Sequence, residues 1–467
     1  MNIDIYMCAM QLTRTGKLLP SLPRFLLDGD LAGAAKAARE GFETCTDSLT
    51  RARLLHAQAD FQLMLGDPET AETLYAQSLS LLAGEECMGA MSCRANGLQM
   101  IARGRLETAV SCFMKNMGAQ DDGLRFEAMV LLALIFREAG LLGLAQWFVE
   151  HLASDEQIAQ HPQWCEIGRL LEADVSVYFR LIGSPRLADH VFWHALRAAP
   201  GSATGSVAGA SRRFTAAGGS TAPARNQSAA VKALLAERHQ HLARLLELAR
   251  PGDEPAIDNL REQMLRQPYL PGRCQPDAIR QEAALAALAG GHPGAAAGFM
   301  AAITPGSNHA SGMDTPLAGI TPQGQVGYIY CTAKIMMEQG SISQGLALYR
   351  NYLKVALRTI RGLSATLREI HEGRPWTVGQ KDTPPAASAG GLPPRYQLAY
   401  DYLMTQSHRE DLSVHEVAAS IGVTERALQL RFKSSLGCSP RDLIRQARNS
   451  GPARPGVAPH AAQSAFG

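Results

Sequence analysis

The sharpest hydrophobic pattern in this chain lies in LSVHEVAASIGVTERALQLRFKSSL, Leu412 to Leu436, and it predicts two short helices joined by a glycine turn. Val417, Ala418 and Ile421 recur at the three- and four-residue spacing of one helical face, and Ala418 is small enough to let a second helix cross closely. Ser413 and Glu416 stand at the spacing of a capping box, so a helix is expected to begin near Val414. Gly422 should end it, because glycine enters the left-handed conformation of a tight helix exit without a side-chain clash. Thr424 would cap a second helix, Glu425 to Ser435, with Leu428 and Phe432 inward and Arg426, Gln429 and Lys433 outward.

A longer-range pattern, G-x4-A-x3 followed by an apolar residue, runs through the region before it. Its triples are Gly29, Ala34, Ala38; Gly66, Ala71, Tyr75; Gly104, Ala109, Phe113; Gly140, Ala145, Val149; and Gly183, Ala188, Phe192, with glycine steps of 37, 38, 36 and 43 residues. Gly290, Ala295, Phe299 and Gly340, Gly345, Tyr349 fit more loosely. The period is close to the ~34-residue tetratricopeptide unit, in which glycine ends one helix, alanine permits close crossing and a bulky residue fills the gap. Such units bury their apolar faces only by stacking, which predicts a curved solenoid. A compact helical domain whose glycines merely end helices is the alternative.

Two stretches interrupt this pattern, Pro200 to Ala229 and Pro375 to Pro394; both are rich in small residues, Gly and Pro, and too poor in apolar surface to offset chain ordering. The expected organisation is all-α: tetratricopeptide-like helical repeats over 1–199, a disordered linker over 200–229, a further repeat-like helical region over 230–374 with Val231 to Leu248 strongly helical, a linker over 375–394, a helix-turn-helix domain over 395–448 and a disordered tail over 449–467.

A helix-turn-helix places its second helix in the major groove with its N-terminal residues on base edges. Thr424, Glu425, Arg426 and Gln429 are therefore the candidate base contacts, since arginine can bond guanine, glutamine adenine and glutamate the cytosine amino group. Arg431 and Lys433 are the candidate phosphate contacts, which supply affinity and register. Ser413, Ala418, Gly422, Leu428 and Phe432 are the expected structural residues of the motif. An ordinary helical hairpin with solvated charges is the bland alternative.

The run AASIGVTERALQLRFKSSLGCSPRDLI resembles the first helix-turn-helix of AraC/XylS-type transcription regulators, through Ala418, Gly422, Leu428, Phe432, Gly437 and the Ser439-Pro440 pair. The resemblance implies a supporting helix from Tyr396 to Gln406, with Leu398, Tyr402 and Leu403 inward, and a connecting helix starting at Asp442 to Arg448. It also implies a second helix-turn-helix after that connection. NSGPARPGVAPHAAQSAFG, which follows Arg448, lacks helical periodicity, and no residue can be assigned to the second unit; the ending is compatible with a frameshift or premature end, or with a natural short form. With a long repeat region in front, and with GKLLPSLPRFLLDGDLAGAA near the N-terminus, the whole chain resembles the Hrp-type activators of type III secretion genes in plant-associated proteobacteria.

Composition narrows the remaining chemistry. The formal charge of +2 gives no global basic field, and Arg395 to Arg448 carries eight basic against six acidic residues, 8 − 6 = 2, so weak DNA binding by one copy is expected. Nine scattered cysteines without a C-x-x-C pair suit a reducing cytosol; MNIDIYMCAM is no secretion signal, and the longest apolar run, Ala128 to Phe136, is too short to span a bilayer. A cytoplasmic protein without a membrane span follows. No phosphate loop or nucleophile elbow appears; Gly290-Gly291-His292-Pro293-Gly294 reads as a repeat turn, and His239 and His241, two apart on a helix, read as surface histidines and not a metal pair. His415 beside Glu416 is better explained by capping than by acid-base work.

These readings converge on a sequence-specific transcription regulator with no enzymatic activity, cofactor, metal or catalytic residue. Its expected partners are promoter DNA, a second copy of the chain, and a regulatory protein or RNA polymerase. The alternative is a helical-repeat interaction scaffold whose DNA-binding domain is truncated and non-functional.

Overall fold

The computed structural model describes residues 3–190, 214, 222–266, 276–303, 322–371, 394–406, 409, 412–436 and 439–449. Among them every regular element is helical, twenty α-helices with two short 3₁₀ turns and no strand. The chain divides into two compact units, Met1–Gly379 and Gln380–Gly467.

The larger unit begins with α1 (Asp4–Thr15), α2 (Leu22–Asp28), α3 (Leu31–Thr44), α4 (Ser48–Met64), α5 (Pro68–Leu81), α6 (Met88–Ala102), α7 (Leu106–Asn116), α8 (Asp122–Glu138), α9 (Leu142–Ser154) and α10 (Pro162–Ile182). It continues with α11 (Ala222–Leu248), α12 (Glu254–Arg266), α13 (Pro276–Gly290), α14 (Pro293–Ala301), α15 (Pro322–Glu338) and α16 (Ile342–His371). Several starts have a local cause: Asp30, Asp47, Asp67 and Asp121 each accept a backbone N–H three residues on, from Gly33, Thr50, Thr70 and Leu124.

The recurring glycines sit between paired helices. Gly29, Gly66, Gly104 and Gly140 have φ of 72°, 83°, 68° and 73°, a left-handed turn that other residues adopt only at a cost. Each lets the next helix fold back, so α2 packs on α3, α4 on α5, α6 on α7 and α8 on α9. The alanine of each motif then lies at the crossing: Ala34, Ala71, Ala109 and Ala145 are all completely buried, with Tyr75, Phe113 and Val149 filling the space beside them. Close approach is required elsewhere too, since a Cβ at Gly97 of α6 would stand 2.6 Å from the ring of Phe113. Two of the expected triples depart from this rule. Gly183 keeps a right-handed φ of −68°, with a 3₁₀ turn following it, and between α13 and α14 the turn is made by Gly291 (φ 90°) rather than Gly290. Phe192 lies outside the described residues.

Alternate helices, α4, α6, α8 and α10, pack on one another and carry buried charge. Arg94 of α6 is held between Asp60 of α4 and Glu127 of α8, with Nε 2.7 Å from Glu127 and Nη1 3.0 Å from Asp60. Arg238 of α11 is held likewise between Asp174 of α10 and Glu282 of α13, with Nη2 donating at 3.0 Å to each. Helix α1 runs beside both clusters: Tyr6 donates to Asp174 at 2.9 Å, Gln11 to Asp60, and Arg14 to Glu127 at 2.8 Å. Guanidinium groups, Arg94 and Arg14 at Glu127, Arg137 and Arg238 at Asp174 and Arg238 at Glu282, hold these carboxylates below the usual range despite burial.

Two sequence expectations change here. His241 is completely buried and lies 3.2 Å from Glu282, so only His239 of the two is a surface residue. Helix α11 starts at Ala222, inside the stretch read as a disordered linker over 200–229, and Phe214 of that stretch is buried against Gly168 while its carbonyl accepts from Arg169 at 2.9 Å. One aromatic ring can anchor a segment whose composition is otherwise that of a linker. The remainder of that stretch, and 375–393, lie outside the described residues.

Among the described residues no helix is long and apolar enough to cross a membrane, and no group of His, Cys, Asp and Glu could hold a metal ion.

Candidate nucleic-acid interface

The smaller unit is built from α17 (Pro394–Gln406), α18 (Val414–Ser420), α19 (Glu425–Leu436) and α20 (Pro440–Asn449). Its core is small: Ala399, Tyr400, Leu403, Leu412, Val417, Ala418, Leu428, Phe432, Leu443 and Ile444. Leu428 and Phe432 are one helical turn apart on α19 and both are completely buried, which fixes the rotation of that helix. Its other face is thereby turned outward. Ala418 leaves room for the crossing, and Gly422, with φ of 63°, makes the turn between α18 and α19.

Hydrogen bonds at the helix starts set the boundaries. Ser413 Oγ accepts the Glu416 amide at 3.1 Å at the head of α18, and Thr424 Oγ1 accepts the Ala427 amide at 3.3 Å at the head of α19. Before α20, Ser439 Oγ accepts the Asp442 amide at 3.2 Å and donates to its carboxylate at 2.7 Å, which lowers the Asp442 pKa. Pro440 then occupies the first turn, where its missing N–H costs nothing.

The candidate contact residues Thr424, Glu425, Arg426, Gln429, Arg431 and Lys433 are all exposed. Arg426, Gln429 and Lys433 follow one another at three- and four-residue steps and so share a face. Glu425 differs in being held: its Oε1 lies 3.0 Å from Nδ1 of His415 on α18. His415 thus ties the two helices together across the turn, a contact ten residues apart that spacing did not reveal. Thr424 likewise spends its hydroxyl on the cap.

Other contacts were also missed. The Glu416 carboxylate receives Tyr402 Oη at 2.7 Å and Arg409 Nη1 at 2.8 Å, which binds α17 and the loop after it to α18. That bond raises the Tyr402 pKa. On α17 the inward residues are Ala399, Tyr400 and Leu403, with Tyr402 half-buried, whereas Leu398 is 63% exposed and does not face inward as expected. The core is narrow enough that Ala399 and Leu403, four apart, fill the contact, and Leu398 falls outside it. Leu430, 64% exposed between Arg426 and Lys433, adds an apolar side chain to the outward face. Gly437 and the tail from residue 450 onward lie outside the described residues.

No family model matches the chain. No solved structure matches it either. Over 400 residues, 85% of this chain and 78% of the relative, it is 28% identical to the regulatory protein HrpB of Ralstonia nicotianae.

Proposed function

We propose that this chain is a sequence-specific DNA-binding transcription regulator of the AraC/XylS kind, an activator of type III secretion and virulence genes acting in the cytoplasm. The observation that carries this reading is the rotation of α19: Leu428 and Phe432 are buried, while Arg426, Gln429 and Lys433 are presented together from a helix capped by Thr424. A helix held this way can enter a major groove without disturbing the core. The likeness to a regulatory protein, which runs over most of both chains, supports the same class and a role without catalysis.

In this reading Thr424, Glu425, Arg426 and Gln429 meet base edges and Arg431 and Lys433 meet phosphate. Ser413, Ala418, Gly422, Leu428 and Phe432 hold the two helices of the helix-turn-helix in register. Glu425 reaches a base only by leaving His415, so its contribution is smaller than that of Arg426 and Gln429. The helix–glycine–helix units of the larger unit are tetratricopeptide-like repeats that pair two copies, receive a regulatory protein or contact RNA polymerase.

The test is footprinting of the purified full-length chain on promoter DNA upstream of type III secretion genes. Replacing Arg426 and Gln429 together by alanine is expected to abolish the protected site, because a good bidentate base contact discriminates by about 1–3 kcal/mol. A footprint that survives the double substitution overturns this assignment of readers. Lys433→Ala should weaken binding evenly across sequences and lower the salt slope by about one; a change in sequence preference would remove it from the phosphate class.

A further inference from the structure

Helix α16 carries more apolar surface than the described residues of its unit cover. It packs against α15 and α7 through one edge, with Gly345, Tyr352 and Ala356 buried and Tyr349 Oη donating to the Asp189 carbonyl at 2.5 Å. These contacts fix the helix's rotation. Beside that edge Ile342, Leu346 and Leu357 remain 52%, 45% and 48% exposed, and Leu353 and Ile360 are only half-buried. At 3.6 residues per turn these five positions fall within an arc of about 60° and run for over 20 Å along the helix. Scattered apolar residues on a surface need no explanation; a continuous stripe on one fixed helix does.

The charge that α16 itself places next to the stripe is of one sign. Arg350, Lys354 and Arg358 follow at four-residue steps along its open flank, all three are exposed, and residues 342–360 contain no acidic side chain. We infer that this face of α16 is a docking surface for an acidic amphipathic helix of a partner protein. Leucine-type residues of the incoming helix would cover Ile342, Leu346 and Leu357, and its carboxylates would meet Arg350, Lys354 and Arg358. A second copy of the chain is a poorer occupant, since isologous pairing of this face brings two all-basic flanks into one interface. A bilayer fits less well too: Leu353 and Ile360 are already partly packed against the core, so the open strip is about one helix wide.

The test uses the full-length chain and a fluorescent amphipathic helical peptide, long enough to cover the stripe, with leucines on one face and glutamates beside them. Its counterpart with lysines in place of the glutamates is the control. The acidic peptide is expected to bind, the lysine peptide to bind at least about tenfold more weakly, a difference of about 1.4 kcal/mol, and added salt to weaken the acidic complex. Leu346→Glu with Leu357→Glu should abolish binding. Replacing Arg350, Lys354 and Arg358 by glutamate should transfer the preference to the lysine peptide. All these positions are on the surface, so an unchanged circular dichroism melt certifies the fold of each variant. Absence of binding by the unaltered chain overturns the inference, as does a Leu346→Cys variant that gains no maleimide label, which would show the chain itself covering the stripe. Self-association lost on Leu346→Glu, or capture by phosphatidylglycerol vesicles with no peptide binding, overturns it in favour of a second copy or a lipid surface.

Discussion

The buried arginines of the larger unit and the outward Arg426 of the smaller one are treated in opposite ways. In the larger unit Arg94 and Arg238 are withdrawn from water and each is clasped by two carboxylates from neighbouring helices. In the smaller unit Arg426 stands exposed on a helix whose rotation is set by Leu428 and Phe432. The first arrangement spends charge on fixing which helix lies beside which. The second leaves charge free for something outside the molecule. A guanidinium that has already exchanged water for two carboxylates has little left to offer a phosphate or a base, so the proposed contact with nucleic acid falls to an outward arginine such as Arg426 and not to Arg94 or Arg238.

The largest expected effect follows directly. Arg238→Ala leaves Glu282 without its guanidinium partner and Asp174 with Arg137 alone, so it should destabilise the larger unit by about 3–5 kcal/mol. Arg426→Ala should stay within about 0.5 kcal/mol, as befits a surface residue away from caps and core. Urea unfolding of the full-length chain followed by circular dichroism measures both. Comparable losses in the two variants would break the contrast between inward and outward arginines.

The second effect is on pH dependence, and it separates the units again. His56 and His241 are buried beside Arg94 and Arg238; burial, helped by those cations, lowers both pKa values below the ordinary 6.5. For His241 the nearby Glu282 opposes the shift without reversing it. In the unfolded chain each histidine takes a proton near pH 6.5, whereas the folded protein keeps it neutral to lower pH. Stability should therefore fall as pH drops below 6.5, by up to about 1.4 kcal/mol per pH unit for each histidine. The depressed carboxylates Glu127 and Glu282 add to this further down: their contribution is intact above the ordinary value of 4.5 and is lost as pH falls through their lower folded values. Trp147 and Trp164 stand in α9 and α10 and the smaller unit holds no tryptophan, so the change in tryptophan fluorescence reports unfolding of the larger unit. His56→Gln should flatten the slope below about pH 6.5 while leaving the parts owed to His241 and to His239, whose pKa burial also lowers; an unaltered slope would remove His56 as its source.

What could be seen in the sequence follows from the range of the interaction. Local devices were legible: Ser413 and Thr424 as caps, Gly422 as the turn, and glycine–alanine spacing that marks Gly66 with Ala71 and Gly104 with Ala109 as hairpin joints. These depend on residues within one turn or one hairpin of each other. The clusters around Arg94 and Arg238 join residues from 33 to 64 positions apart, and no periodicity marks them. His241 was misplaced on the surface for the same reason, since its partner Glu282 is 41 residues away. In the smaller unit, the outward face of α19 was readable from Leu428 and Phe432, but the engagement of Glu425 by His415 was not.

The smallest expected effect tests how narrow the small unit's core is. Helical spacing alone does not choose between Leu398 and its neighbours on α17, because an apolar stripe wider than its contact surface leaves a residue at the margin. The structure puts Leu403 in full contact and Leu398 63% in solvent. Leu398→Ala should then change stability by less than about 0.5 kcal/mol, while Leu403→Ala should cost about 2–5 kcal/mol through lost burial and the cavity left behind. Tryptophan fluorescence cannot report this, so unfolding is read from the dispersion of Tyr396, Tyr400 and Tyr402 ring signals by nuclear magnetic resonance. A large loss on Leu398→Ala would mean that its surface is covered by a second body in solution. The proposed reading helix would then be carried by a larger core than the ten buried apolar residues described in the small unit form.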